Sequence, residues 1–204
     1  TVLQRIILED FQSLISVKAD SSSPVYLLQQ QLKPCILESA VVETEISKNR
    51  GYIYGWMENQ RVFVWNLFTN KINYFKTEGE LEHIEISEKD SLLALIYRNN
   101  NVMVCDFNGE KRYSFKTTLN DVMNERLVRF FPSGNNQLVA VKDCGVSIYD
   151  RNGKVVFELQ GHSGRINSVD VSPDGRFVVS ASSDKKINLW NFNREISQFS
   201  IYNS

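Results

Sequence analysis

The sequence predicts an all-β fold assembled from a repeated unit, and three observations carry that expectation. Short runs rich in β-branched and aromatic residues recur along the 204-residue chain, among them GYIYGW at 51–56, RVFVW at 61–65, LLALI at 92–96 and RFVVS at 176–180. Clusters of turn formers such as EKDS, SGNN and PDG separate them. A fixed register ties the runs together: six residues before each of five anchor residues stands a turn-forming Asp or Asn between two strands. No apolar stripe of 3.6-residue period extends over ten or more positions, so helices are not expected.

Taken in order, the units repeat this plan with different fidelity. Residues 1–39 take Tyr26 as anchor and Asp20 as turn residue, with RIIL closing at Leu8; Val25 keeps the apolar pattern, while Ser23 and Leu27 depart from it. Residues 40–79 close ETEIS at Ser47, turn at Asn59 and reach Trp65 through Val62 and Val64, with Asn66 following. Residues 80–120 close HIEIS at Ser87, turn at Asn99 and reach Cys105 through Val102 and Val104, with Asp106 following. Residues 121–160 close LVRFF at Phe131, turn at Asp143 and reach Tyr149 through Val146 and Ile148, with Asp150 following. Residues 161–204 close SVDVS at Ser172, turn at Asp184 and reach Trp190 through Ile187 and Leu189; the segment from Arg194 to Tyr202 can supply an outer strand. The anchors lie 39, 40, 44 and 41 residues apart. A unit near 40 residues holding three or four short strands is a propeller blade, so the chain reads as one β-propeller domain of about five blades.

One unit carries a more specific pattern. Gly161 and His162, then Ser172, Pro173, Asp174 and Gly175, then Ser180, Asp184 and Trp190 stand at the offsets of a WD repeat, and residues 161–192 resemble that family; Asn191 replaces the usual Asp after Trp. The four units before it match in register and apolar pattern only. The resemblance implies that His162, Ser180, Asp184 and Trp190 form a structural lock: His162 bonds the turn Asp184, and Ser180 and the indole complete the set. A catalytic reading would make His162 and Asp184 a base and its orienter with Ser180 as nucleophile; the spacing favours the fold device, and no catalytic residue is assigned. The other units keep only fragments of the set, with Asp121, Thr77 and Leu37 at the slot of His162, and Val139, Leu95, Gly55 and Ser16 at that of Ser180.

Few other residues suggest chemistry. His83 opens HIEIS and reads as a packing or surface residue, and two distant histidines give no metal-ligand spacing, so neither metal nor cofactor is expected. The pairs Asp174, Gly175 and Asn152, Gly153 are hairpin turns rather than phosphate loops. Trp56 and Trp65 are expected to pack between blades. Cys35, Cys105 and Cys144 form no CxxC pair and read as buried thiols in a reducing compartment, with the cytoplasm as default location. With 23 Lys and Arg against 24 Asp and Glu, the net charge of −1 disfavours a nucleic-acid partner. No apolar run reaches the length of a membrane span.

What remains is recognition at a surface. In propellers of this family, partners often bind the top face through positions 25, 23 and 7 residues before each anchor. These are Arg165, Asn167 and Ser183 in the last unit, and Asn124, Arg126 and Lys142 in the one before. The third unit has Glu80, Glu82 and Arg98 there, and the second has Ala40, Val42 and Glu58. The rim thus grades from acidic to basic, which suits orienting a protein or peptide partner. The expected function is a non-catalytic interaction platform, a scaffold or sensor domain of a larger assembly. The alternatives are a nucleic-acid-associated propeller, or an enzyme with carboxylates or histidines converging on the central channel. Five units fit three arrangements: part of a larger, seven-bladed ring with blades before Thr1, a closed five-bladed ring, or an open ring that a partner chain completes by strand addition.

Overall fold

The computed structural model describes residues 37–47, 51–87, 89–117, 127–132, 137–191 and 197–202, the last as backbone. The unit anchored at Tyr26, together with Cys35, Asp121, Asn124 and Arg126, lies outside the described residues. Among the described residues, sixteen strands form four antiparallel sheets, each a simple meander. The first holds β1 (Val41–Ile46), β2 (Tyr52–Met57), β3 (Arg61–Asn66) and β4 (Lys71–Lys76). The second holds β5 (Leu81–Ser87), β6 (Leu92–Tyr97), β7 (Asn101–Asp106) and β8 (Lys111–Lys116). In the third are β9 (Val128–Phe130), β10 (Leu138–Lys142), β11 (Gly145–Tyr149) and β12 (Val155–Leu159); the fourth has β13 (Ile166–Val171), β14 (Phe177–Ser182), β15 (Lys186–Asn191) and β16 (Ser197–Tyr202). All-β architecture and the meander of each blade follow the sequence expectation, and β16 is the outer strand anticipated between Arg194 and Tyr202.

The alternation of side chains explains the stacking. In β6 every residue is buried. Leu93, Leu95 and Tyr97 join Tyr54, Trp56, Val62 and Val64 of the first sheet in one apolar cluster. Leu92, Ala94 and Ile96, on the opposite face, join Val128, Phe130, Leu138 and Ala140 of the third. Val139, Val141, Val146 and Ile148 then meet Ile166, Val169, Val178 and Trp190 of the fourth. β6 and β10 therefore read as apolar runs because both of their faces are covered. Burial fades outward, and in β12 only Leu159 is buried. Trp56 packs between the first and second sheets, as expected. Trp65 lies half-buried on the other face of the first sheet, its indole N–H donating to Asn70 Oδ1 at 3.0 Å. Cys105 is buried, and burial pushes its thiol up to about 12. Cys144 departs from the expectation of a buried thiol: it is exposed in the two-residue turn between β10 and β11, a place the ring leaves open to water.

The turns carry the polar repeat. In the second and third sheets the residue after the anchor caps the hairpin to the outer strand: Asp106 Oδ1 accepts from Asn108 and Glu110 N–H, and Asp150 Oδ1 from Asn152 and Lys154 N–H, each at 2.9 Å. Gly109 and Gly153 follow in these turns with φ of 85° and 76°. Each turn rests on an aromatic ring of the preceding sheet, and a Cβ would meet Phe75 at 2.5 Å or Tyr113 at 2.6 Å. At the same end of the sheet, a serine before the second strand closes a loop in two blades, with Ser47 Oγ accepting from Tyr52 N–H at 3.0 Å and Ser172 Oγ from Phe177 N–H at 2.9 Å.

Truncating a doubly covered side chain measures how far blade stacking carries the fold. Leu95→Ala is expected to lower stability by about 2–5 kcal/mol in chemical denaturation, because the cavity lies between two sheets. Val156→Ala, on the exposed outer strand, is expected to change it by less than about 0.5 kcal/mol.

Candidate functional site

Three groups of polar residues emerge from this frame. The first is the lock of the fourth sheet. Asp184 stands in the turn between β14 and β15, and His162 in the segment leading to β13. His162 Nδ1 lies 3.0 Å from Asp184 Oδ2, and Nε2 lies 2.8 Å from Ser180 Oγ on β14. Ser163 N–H donates to the same carboxylate oxygen at 2.9 Å, and Lys186 N–H donates to the other at 2.9 Å. Neutral imidazole protonated at Nδ1 satisfies both contacts, donating to Asp184 and accepting from the Ser180 hydroxyl. Trp190 meets the imidazole edge-on, ring centres 6.3 Å apart. Burial pushes the Asp184 carboxyl up, but the hydrogen bonds from Ser163, His162 and Lys186 outweigh it and hold the group well below the ordinary carboxylate range.

The connectivity is that of a Ser-His-Asp triad, and accessibility separates the two roles. Ser180 is 1% exposed and His162 8%. A nucleophile must reach a substrate carbonyl, and this hydroxyl lies on a middle strand under the third sheet. The arrangement holds a turn and a loop together. At the slot of His162, Thr77 of the second unit is buried and donates to the Gln60 carbonyl of the preceding turn at 3.1 Å.

The second group is the rim. Glu58 N–H bonds the Ala40 carbonyl at 3.0 Å, Arg98 N–H that of Glu80 at 3.1 Å, and Ser183 N–H that of Arg165 at 2.9 Å. The positions 25 and 7 residues before the anchor thus sit side by side in three sheets. The pairing of β1 with β2, β5 with β6 and β13 with β14 slips at the position 23 residues before the anchor, leaving Val42, Glu82 and Asn167 as bulged residues. Glu58, Glu80, Arg98, Lys142, Arg165, Asn167 and Ser183 are exposed, while Glu82 is half-buried. The third sheet differs. Leu138 faces Tyr149 and Lys142 faces Gly145, so this hairpin is one residue shorter than its counterparts. Lys142 becomes the last residue of β10, and Asp143 takes the rim slot with φ 55°. The same shift places Ala140, not Val139, opposite Ser147, in the slot that Ser180 holds opposite Asn188.

The third group was not singled out from the sequence. The innermost strands surround a central cavity of about 1030 Å³. Into it project the residues 20 before each anchor, Glu45, Glu85, Arg129 and Asp170. Arg129 Nη1 binds Glu85 Oε2 at 2.7 Å, and its Nε lies 3.9 Å from Asp170. His83, read as packing or surface, is buried on β5 against this wall, its Nε2 4.0 Å from Glu85. The signal was present: a charge stands two residues before the close of ETEIS, HIEIS and SVDVS, and LVRFF keeps the slot with Arg129.

Comparison with known proteins matches residues 153–191 to the model of the WD domain, G-beta repeat. Nuclear distribution protein nudF of Aspergillus terreus (strain NIH 2624 / FGSC A1156) is 26% identical over 113 residues, covering 54% of this chain and 24% of that protein. WD repeat-containing protein 1 of Rattus norvegicus is 37% identical over 94 residues, covering 43% and 16%. The chain therefore spans about a quarter or less of the length of these relatives. A solved structure titled "Structure of U3-55K" superposes with a TM-score of 0.59 at 15% identity, over 82% of this chain and 53% of that one. At that identity the likeness is one of fold.

The lock should reveal itself through acid. A carboxyl held below its unfolded value of about 3.9 contributes stability that is complete above that pH and is lost as pH falls toward the folded value. Asp184→Asn should be less stable at neutral pH, with a flatter stability curve between about pH 5 and pH 2 than the parent. Ser180→Ala should cost about 1–3 kcal/mol by denaturation, since it leaves a buried imidazole nitrogen unserved.

Proposed function

Because this chain is a WD-repeat β-propeller, we propose that it is a non-catalytic platform whose rim engages a protein or peptide partner. The observation that carries the reading is the convergence of rim slots. In each of three sheets, a backbone hydrogen bond seats the entry of the inner strand beside the turn ahead of the third strand. The bulges turn Val42, Glu82 and Asn167 out of the ladder toward the same edge. The charges there are weakly held. Arg98 and Glu80 pair at 3.2 Å with side chains 67% and 72% exposed, a contact worth at most about 1 kcal/mol and readily exchanged for a partner's groups. Glu58 lies on the acidic side and Arg165 on the basic side, a division that orients an incoming chain more than it tightens it. Asn124 and Arg126 belong to this proposal by register alone.

Among the described residues, one face of the fourth sheet has no neighbouring sheet. Phe177, Val179 and Ala181 of β14 are half-buried and Ile187 is 41% exposed, although the corresponding faces of β6 are closed by neighbours. A further blade would continue the same alternation on this face. An intracellular setting accords with the thiols Cys105 and Cys144.

One observation speaks for the catalytic alternative: His83, Glu45 and Glu85 do converge on the central cavity. Glu85 is engaged by Arg129 and Glu45 accepts a hydrogen bond from Tyr54 Oη at 2.5 Å, which are the bonds of a braced wall.

Charge reversal at the rim tests the platform. Arg98→Glu combined with Arg165→Glu should keep the parent's melting temperature and reduce recovery of its interaction partners at least about fivefold in quantitative affinity capture. Unchanged recovery would move the binding surface elsewhere.

A further inference from the structure

The innermost strands are joined by opposite charges at two of three junctions. Glu85 on β5 meets Arg129 on β9, and Arg129 also faces Asp170 on β13. At the junction of β1 with β5 the same position sets Glu45 beside Glu85, and two carboxylates cannot bridge each other. A third carboxylate and an imidazole join them there. Glu43 and Glu45, two apart on β1, project from one face of that strand. His83 on β5 is 4% exposed and lines the cavity wall with Glu45. The nearest ligand atoms of Glu43, Glu45 and His83 all lie within 4.8 Å of one another.

We propose that Glu43, Glu45 and His83 bind a divalent transition-metal ion of the zinc type, which bridges the first two sheets at the central channel as Arg129 bridges the later ones. The donor set selects the class of ion. An imidazole with two carboxylates suits zinc and its borderline neighbours, whereas calcium and magnesium prefer oxygen alone. Bonds of about 2.0–2.2 Å around a tetrahedral ion separate ligand atoms by roughly 3.4 Å, so the three groups need close in only by rotations of the two glutamate side chains. The surroundings hold them in place. Tyr54 Oη donates to Glu45 at 2.5 Å, the kind of outer bond that orients a ligating carboxylate. Gly55 lets β1 lie close, since a Cβ there would meet the Glu43 carbonyl oxygen at 2.1 Å. Three protein ligands leave a fourth position facing the cavity.

Titration of the EDTA-stripped chain with Zn²⁺, followed by calorimetry, tests the site. One equivalent is expected to bind, and Glu43→Gln and Glu45→Gln should each weaken binding at least about tenfold while their metal-free melting temperatures match the parent's. Cys144→Ser, which removes the exposed thiol, should bind as the parent does. The chain has only two histidines, so Co²⁺ should shift the ring resonances of His83 and spare those of His162 in the assigned spectrum. Absence of saturable binding, glutamine variants that bind as tightly as the parent, or shifts confined to His162 would overturn the proposal. The rim substitutions at Arg98 and Arg165 leave these ligands untouched, so either reading can fail without the other.

Discussion

Each four-stranded sheet here has two apolar faces and cannot bury both by itself. That constraint organises the rest of the molecule. The six buried residues of β6 cover the first sheet with one set of alternating side chains and the third sheet with the other, so neither face has a free choice of partner. Stacking then dictates where small residues are needed. Gly109 and Gly153 occur where a turn must lie against an aromatic ring of the previous sheet, at a φ that other residues seldom adopt. It also dictates where charge is tolerated. Polar side chains gather at strand ends, on outer strands such as β12, and along the innermost strands, which face the cavity.

The same constraint explains why one blade keeps a full polar network and its neighbours do not. Removing one member of a buried hydrogen-bonded set strands the others, whereas replacing the whole set by apolar groups of suitable shape is nearly neutral. Intermediate forms are therefore the costly ones. The fourth sheet retains His162, Ser180 and Asp184 together. In the second, Leu95 fills the slot of Ser180 and is fully buried, and Thr77 ties itself to the Gln60 carbonyl instead. In the first, Gly55 holds that slot because the Glu43 backbone crosses too near for any side chain. The degeneracy of these units is thus a series of complete local solutions.

The repeat was legible because stacking imposes one register on every blade, and anchors such as Trp190 and Trp65 record it. Counting from the anchors found the rim neighbours, since the distance from inner-strand entry to turn is fixed by the ladder: Arg165 and Ser183 pair as the spacing required. It failed where the ladder changes length. The shortened hairpin between β10 and β11 moves Asp143 into the rim slot that counting gave to Lys142, and the chain distance alone does not tell which side of a turn has lost a residue. His83 is buried, as the packing reading allowed, but its neighbours were not legible. An isolated histidine carries no information about what a strand forty residues earlier brings opposite it, and Glu43 and Glu45 become its neighbours only when the sheets stack. The charges at the Glu45, Glu85, Arg129 and Asp170 positions could have been read as a channel lining, because apolar strands that repeat a charge at one slot must open that slot to water.

Rim and channel therefore differ in what their charges can do. Arg98 and Glu80 are flexible, mostly exposed and screened by salt, so they exchange partners at little cost. Arg129 and Glu85 are 18% and 13% exposed, sit on adjacent inner strands and face a third charge on the next. In such a setting the dielectric is lower and each charge requires a near counterpart, which makes the channel a place that holds blades together. A bulge at the head of three inner strands separates the two regimes. Upstream of Glu82 and Asn167 the chain answers to solvent, and one residue beyond the bulge, at His83 and Ser168, begins the wall that the blades share. The fold can therefore vary its rim without disturbing its centre.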